Sequence, residues 1–168
     1  VLVAHGLALD NDPSEGAYPS GASATARAAA RLARLGAGDD LAAAAIAALE
    51  PIVPLAQERP VSFGSALGAM SLLGEPVRQL VVVTDESGTD ESGTDETEPA
   101  LVALARSWRG GTTAVVSPAQ ALAFARAGFE LFEARESTEG RATAYLCEDF
   151  VCRLPVTDAG QLGELLAG

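Results

Sequence analysis

The sequence contains no lysine, and its 11 basic residues are all arginines. The absence of lysine excludes Schiff-base chemistry and the usual phosphate-binding lysine of NTPase loops. The single histidine, His5, excludes a histidine-rich metal site and makes any Ser-His-Asp triad depend on one residue. The formal net charge is −12, with no basic cluster. This balance argues against binding to nucleic acid or to anionic membrane surfaces.

Aromatic residues make up only 5% of the chain, although 48% of its residues are hydrophobic. The core must therefore be built from alanine, leucine and valine, and each alanine buries little area. No apolar run approaches the ~20 residues that cross a bilayer, and residues 1–4 are too short for a signal peptide. Two cysteines without a secretion signal favour a reducing compartment. We expect a cytoplasmic protein that binds no membrane.

The first half of the chain has the composition of helices joined by short connections. Strong helix formers run from Ala24 to Leu35, from Leu41 to about Gln57 and from Ser62 to Leu73. Pro51 and Pro54 fall inside the second stretch, so we expect that helix to kink or split there. This half, residues 1–75, is predicted to form antiparallel helical hairpins.

The second half, residues 76–168, alternates apolar β-branched runs with helical stretches. The predicted strands are 80–83, 112–116, 141–147 and 150–154, and the predicted helices are 99–108, 118–127 and 159–166. Such alternation indicates a small, partly parallel sheet with helices on its faces. The predicted fold class is therefore mixed α and α/β, with helical hairpins followed by a small α/β subdomain.

Residues 84–98 interrupt this second half with an acidic low-complexity repeat, in which Thr-Asp-Glu-Ser-Gly occurs twice. Carboxylate oxygens suit calcium, but the spacing does not fit an EF-hand loop. We interpret the repeat as a disordered, solvated insertion between a strand and a helix.

Cys147 and Cys152 lie five residues apart across a predicted strand-to-strand turn. They are candidate redox residues, because a tight turn brings two thiols within disulfide range. A second interpretation is two small buried thiols on a hairpin. A third, a metal site, lacks further ligands, since structural zinc needs four. Glu148 and Asp149 disfavour a reactive thiolate. We predict no metal and no cofactor.

A loop before the first helix carries the candidate ligand-binding residues Asp12, Tyr18, Ser20 and Ser23. A helix N-terminus presents free N–H groups that hold an anion or a sugar hydroxyl, and the serines and tyrosine add donors. Asp12 and Glu15 have the chemistry of an acid or base. The alternative is plain helix capping by Ser20 or Ser23. No catalytic residue is assigned.

Segments Pro19–Ser23, Gly140–Cys147 and Pro155–Asp158, with Cys152, resemble the C-terminal end of a large family. This is the family of thioredoxin-domain-containing proteins that includes the spermatogenesis-associated homologues. Its pattern Tyr-x-Cys-x4-Cys-x2-Pro-x-Thr-Asp is present here, whereas Ala22 stands where the family usually has asparagine. The resemblance implies an N-terminal thioredoxin-like domain, a six-hairpin, glycosidase-like α/α toroid and a small α/β tail.

The resemblance also implies that this chain is a C-terminal fragment, made of the last toroid hairpins and the tail. We expect a mainly structural role, closing the toroid, in a protein whose whole function is thiol-redox or carbohydrate-related. The isolated chain is then not a competent enzyme, and its partners are the missing thioredoxin and toroid parts. Helices that would face those missing parts leave apolar surface exposed, which predicts homo-oligomers or poor solubility. The alternatives are a sugar-binding or epimerase-like module and a Cys147/Cys152 redox element.

Overall fold

The computed structural model of the chain describes residues 14–38, 40–84 and 97–168. These residues belong to two compact units. One contains the described residues up to Arg31 and from 40 to 75, and the other contains Leu32–Gly38 and the described residues from 76 to 168. Helices make up the described part of the first unit, and a four-stranded sheet with helices makes up that of the second. The predicted mixed α and α/β class is therefore confirmed.

Some predicted features lie outside the described residues. They are the apolar stretch at residues 1–4, His5, Asp12 and the main part of the acidic repeat, residues 85–96. The predicted disorder of that repeat stays a prediction.

The first unit is built from four α-helices and two short 3-10 segments. They are α1 (Gly21–Ala33), α2 (Asp40–Leu49), a 3-10 segment (Glu50–Ile52), α3 (Val53–Glu58), a second 3-10 segment (Pro60–Phe63) and α4 (Gly64–Gly74). Alanines dominate its core, with Leu49, Ile52 and Phe63 as the larger buried side chains. The low aromatic content of the sequence leads directly to this close packing of small side chains.

Prolines set the helix boundaries in the first unit. Pro51, Pro54 and Pro60 each lie in the first turn of a new helical segment. A proline has no backbone N–H to donate. It is tolerated in the first turn of a helix, because the N–H groups there have no carbonyl partner within the helix. The predicted split of the second helix is confirmed. By length and composition alone, the helical stretch Asp40–Glu58 is long and apolar enough to cross a membrane, which differs from the expectation that no apolar run approaches that length.

The second unit contains one mixed sheet. Its elements are β1 (Arg78–Val83), α5 (Thr97–Ser107), β2 (Thr112–Val116), α6 (Pro118–Arg126), a 3-10 segment (Glu130–Phe132), β3 (Thr143–Glu148), β4 (Val151–Cys152) and α7 (Ala159–Ala167). The strand order is β2-β1-β3-β4. Strand β1 is parallel to β2 and antiparallel to β3, and β3 is antiparallel to β4.

The two faces of the sheet have separate cores. Val81, Tyr145 and Cys147 pack on one face with side chains of α6 and the 3-10 segment. Leu80 and Val82 pack on the other face with side chains of α5 and α7. The central strand β1 is buried on both faces, which explains its uninterrupted apolar run.

The segment Leu32–Gly38, predicted as the end of the first helix and the connection after it, belongs to the second unit. Gly36 ends the helical turn at a φ of 72°. Its carbonyl accepts a hydrogen bond from the Glu130 N–H at 3.2 Å. A Cβ on Gly36 would come within 2.6 Å of the Glu130 Cβ, so only glycine fits this position.

We predict that Gly36→Ala destabilises the second unit by about 1–2 kcal/mol or more, because it adds left-handed backbone strain to a collision. The matched control is Gly163→Ala in α7, where an added Cβ meets nothing within 4 Å. That control should gain about 0.5–1 kcal/mol. Denaturant unfolding followed by the fluorescence of the single tryptophan, Trp108, measures both. Equal stability of Gly36→Ala and wild type would refute this account of the turn.

Candidate functional site

The predicted ligand-binding serines cap helix α1. The Ser23 backbone N–H donates to the Ser20 Oγ at 3.2 Å, and the Ser20 hydroxyl donates to the Ser23 Oγ at 3.0 Å. Both serines are buried. Their polar atoms are thus engaged with each other and with the helix end, as the capping interpretation predicts.

The other residues of this loop are not gathered around the serines. The Tyr18 side chain is 83% exposed, and Asp12 lies outside the described part of the chain. The Glu15 carboxylate accepts hydrogen bonds from the backbone N–H groups of Ser65 (2.8 Å) and Ala66 (3.1 Å), at the start of α4. A carboxylate at a helix N-terminus is a stabilising arrangement. The binding of a ligand by this loop stays a prediction.

Cys147 and Cys152 form a disulfide between the neighbouring strands β3 and β4. The two cysteines are direct partners in the ladder, and Glu148 faces Val151 one position nearer the turn. A two-residue turn, Asp149–Phe150, joins the strands with φ angles of 47° and 65°. In such a hairpin the two residues that flank the turn, here Glu148 and Val151, form a hydrogen-bonded pair. The next pair, Cys147 and Cys152, is then a non-hydrogen-bonded pair, in which the side chains lie closest. The turn therefore brings the two sulfurs together.

Buried Gln79 in β1 supports this turn. Its side-chain carbonyl accepts a hydrogen bond from the Phe150 N–H at 3.3 Å, and its amide donates to the Arg34 carbonyl at 3.1 Å. The Asp149 N–H donates to the Val77 carbonyl at 2.8 Å. A positive φ is costly for a bulky residue such as phenylalanine. These bonds offset that cost and fix the cysteine register.

Arg135 is the charged group that contacts the disulfide. Its Nη2 lies 2.9 Å from the Cys152 Sγ, and its Nε donates to the Leu131 carbonyl at 3.2 Å. The guanidinium carbon lies 5.2 Å from the centre of the Tyr145 ring, in a cation–π contact. Three interactions thus hold the guanidinium beside the sulfur.

Tyr145 fixes the loop that carries Arg135. Its hydroxyl donates to the Glu136 carbonyl at 2.7 Å and accepts from the Glu136 N–H at 3.3 Å. Burial lowers the pKa of the Arg135 guanidinium, whereas nearby Tyr145 and Glu133 act to raise it. An arginine ordinarily loses its proton only far above neutral pH, so Arg135 keeps its positive charge at neutral pH even with a lowered pKa.

The two cysteines differ in exposure. Cys147 is 2% exposed within the core of the sheet, whereas Cys152 on the edge strand is partly exposed. Two open surface pockets border the site. One of about 330 Å³ is lined by Arg78, Leu146, Cys147, Glu148, Val151 and Arg153, and one of about 280 Å³ is lined by residues of α6 and of the loop at Arg135. Glu148, Val151 and Arg153 alternate with the cysteines along the two strands, so the first pocket lies on the sheet face away from the cysteine side chains, whereas the second lies beside Arg135.

The sequence predicted the cysteine pair as a candidate site but not its arginine. Arg135 is 17 residues from Cys152 in sequence and lies in an irregular loop. No local spacing signals this contact, since it depends on how the loop packs against β3. Within the described ranges, no group of three or more His, Cys, Asp or Glu side chains is placed to hold a metal ion.

Comparisons of this chain with protein-family models, curated proteins and solved structures gave no match. The resemblance to thioredoxin-domain-containing proteins therefore stays a prediction, and the site must be interpreted from its own geometry.

We predict that Ser20→Ala lowers the free energy of unfolding of the helical unit by about 1 kcal/mol, because α1 loses its cap. Ser20→Asp keeps an oxygen acceptor at the cap and should retain most of the stability. Thermal unfolding followed by far-UV circular dichroism compares the variants. Unchanged stability in Ser20→Ala, together with saturable sugar binding by wild type that the variant loses, would favour the ligand interpretation over capping.

Proposed function

We propose that this chain acts in thiol–disulfide exchange, and that Cys147 and Cys152 are its redox-active pair. The observation that carries the proposal is the contact between the positively charged Arg135 and the sulfur of the partly exposed Cys152. A cation at this position favours exchange, because it stabilises the thiolate that forms on reduction.

The size of the loop closed by the disulfide also favours exchange over a stabilising role. The two cysteines are five residues apart, and β-pairing already holds the ends of this loop together. The chain-entropy model gives about 2 kcal/mol for so short a loop and about 3 kcal/mol for a 15-residue loop. Reduction therefore costs the fold little, and the pair can open without unfolding the sheet.

The proposed cytoplasmic location is consistent with this function. Disulfides in reducing compartments are usually transient, and serve catalysis or redox sensing. The reaction needs no metal or cofactor, because a second thiol compound supplies the electrons. If the resemblance to thioredoxin-domain-containing proteins holds, the natural partner is the thioredoxin-like part of the same protein.

We predict that the folded chain releases two thiols on treatment with dithiothreitol and re-forms the disulfide with oxidised glutathione. Intact mass after alkylation measures both steps, since the reduced protein takes up two labels and the oxidised protein none. Cys147→Ser and Cys152→Ser are the controls, because each leaves one thiol and no internal bond. A disulfide that resists reductant until denaturant is added would be structural, and the proposal would fail.

A second candidate function is the structural one, in which the helical unit completes an α/α toroid. Exposed apolar side chains of the first unit favour it: Ile46 is 58% exposed and Val61 is 98% exposed, and Val53, Leu55 and Leu67 are also exposed. Exposed apolar residues in such numbers often mark a surface that another part of an assembly covers.

We predict that the isolated chain forms oligomers or binds a hydrophobic dye, and that the double variant Ile46→Gln/Val61→Ser reduces both effects. Leu154→Gln, which alters an exposed apolar side chain of the second unit, should leave them unchanged. Size-exclusion chromatography with light scattering and dye fluorescence are the measurements. A monomeric wild-type chain that binds no dye would count against the toroid role.

A further inference from the structure

We propose that Cys152 exchanges with an external disulfide, that Cys147 is the resolving thiol, and that Arg135 is the positioning residue that holds Cys152 as a thiolate. This inference rests on the proposed redox function and assigns roles within it. It is carried by three features of the site: the unequal exposure of the two cysteines, the fixed position of the guanidinium and the charges around it.

Exposure makes Cys152 the point of attack. Cys147 is 2% exposed, in the inner strand β3 and among the apolar side chains of the sheet core. Cys152 is partly exposed in β4, which pairs with β3 at the edge of the sheet. An incoming thiolate must approach a disulfide sulfur directly, so the accessible sulfur reacts. The buried sulfur is then reached only by its partner within the chain.

Arg135 makes Cys152 the better nucleophile of the two thiols. Its Nη2 lies 2.9 Å from the Cys152 Sγ, and the Leu131 carbonyl and the Tyr145 ring hold the guanidinium in place. A fixed cation next to a thiol raises the fraction of thiolate at neutral pH. Neither the carbonyl contact nor the ring contact involves the sulfur. Arg135 is therefore already in place next to Cys152 before the disulfide is reduced.

Other groups near Cys152 disfavour the thiolate that Arg135 stabilises, but their positions are less favourable than that of the arginine. The Phe150 carbonyl lies 3.7 Å from the Cys152 Sγ and would accept a hydrogen bond from the neutral thiol. Asp149 is an exposed turn residue, and Glu148 lines a pocket with Arg78 and Arg153. Alternation along the strands directs Glu148 and Arg153 to the sheet face opposite the cysteines. The negative charge of Glu133 acts on Arg135, whose pKa it raises. The arginine contact is the closest of these.

The exchange balances in two steps. In oxidation, the Cys152 thiolate attacks one sulfur of an external disulfide, such as glutathione disulfide, and one external thiolate leaves. The Cys147 thiol then loses its proton to water and attacks the Cys152 sulfur, which expels the second external thiolate. Two cysteine thiols are oxidised and one external disulfide is reduced to two thiols. Reduction follows the same path in reverse, through the same mixed disulfide on Cys152.

The test measures the rate of iodoacetamide alkylation against pH in the full-length Cys147→Ser and Cys152→Ser chains. We expect Cys152, in the Cys147→Ser chain, to react with a midpoint below the ~8.5 of a free cysteine. We expect Cys147, in the Cys152→Ser chain, to react at least tenfold more slowly at pH 7. With glutathione disulfide, Cys147→Ser should accumulate a mixed disulfide and Cys152→Ser should not.

Arginine variants in the Cys147→Ser chain test the role of Arg135. Arg135→Met should slow alkylation of Cys152 at neutral pH roughly tenfold and move the midpoint to higher pH, and Arg135→Lys should restore part of the rate. The matched control, Arg153→Met, removes an equal charge next to Cys152 in sequence but on the other sheet face, and should change the rate less than twofold.

Three results would overturn the assignment: equal rates for the two cysteines, a Cys152 midpoint at or above that of free cysteine, or equal effects of the two methionine variants. The midpoint is measured with Arg135 intact, so it decides the matter even if Arg135→Met does not fold. Each of these results leaves the proposed function standing if the wild-type disulfide still cycles. Failure of the wild-type disulfide to cycle removes the function itself.

Discussion

The cross-strand register of the sheet is the constraint on which the rest of the site depends. Gln79 lies opposite Cys147 in the β1–β3 ladder, and Cys147 lies opposite Cys152 in the β3–β4 ladder. The buried Gln79 side chain bonds to the Phe150 N–H in the turn and to the Arg34 carbonyl. A slip of one residue would turn both cysteines to the other face of the sheet, away from Arg135. The glutamine and the turn thus keep the two sulfurs paired and facing the arginine.

This arrangement places a local cation in a strongly acidic protein. The net charge of −12 opposes a thiolate anywhere on the surface, and Glu148 and Asp149 in the turn add to that effect. Dissolved salt at moderate concentration screens exposed charges that are more than about 10 Å apart, so the partner in direct contact affects the thiolate more than the net charge does. At 2.9 Å, the half-buried Arg135 is that partner for Cys152. The hydrogen bond from Arg135 goes to the Cys152 sulfur, and Cys147 is the more deeply buried cysteine, so the two cysteines have different surroundings.

Local sequence patterns predicted most of the secondary structure but only part of the candidate site. Apolar periodicity placed the strands and helices, and Pro51 and Pro54 marked a real break, because proline cannot continue a helix. The spacing of Cys147 and Cys152 suggested a pair, because a two-residue turn is formed by residues that are adjacent in sequence. Arg135 was missed because its contact with Cys152 depends on the packing of a loop. The Ser20 loop suggested both capping and ligand binding, and only the structure shows that the Ser20 hydroxyl donates to the Ser23 hydroxyl.

The central claim is that the Cys147–Cys152 disulfide opens and closes while the sheet stays folded. The most direct measurement is the fraction of disulfide in the native chain across glutathione buffers of defined potential, by alkylation and intact mass. Circular dichroism on the same samples reports the fold. The account predicts one two-electron transition between about −180 and −300 mV, with an unchanged dichroism spectrum on both sides. A pair that stays oxidised throughout that range, and is reduced only where the spectrum is lost, would contradict it.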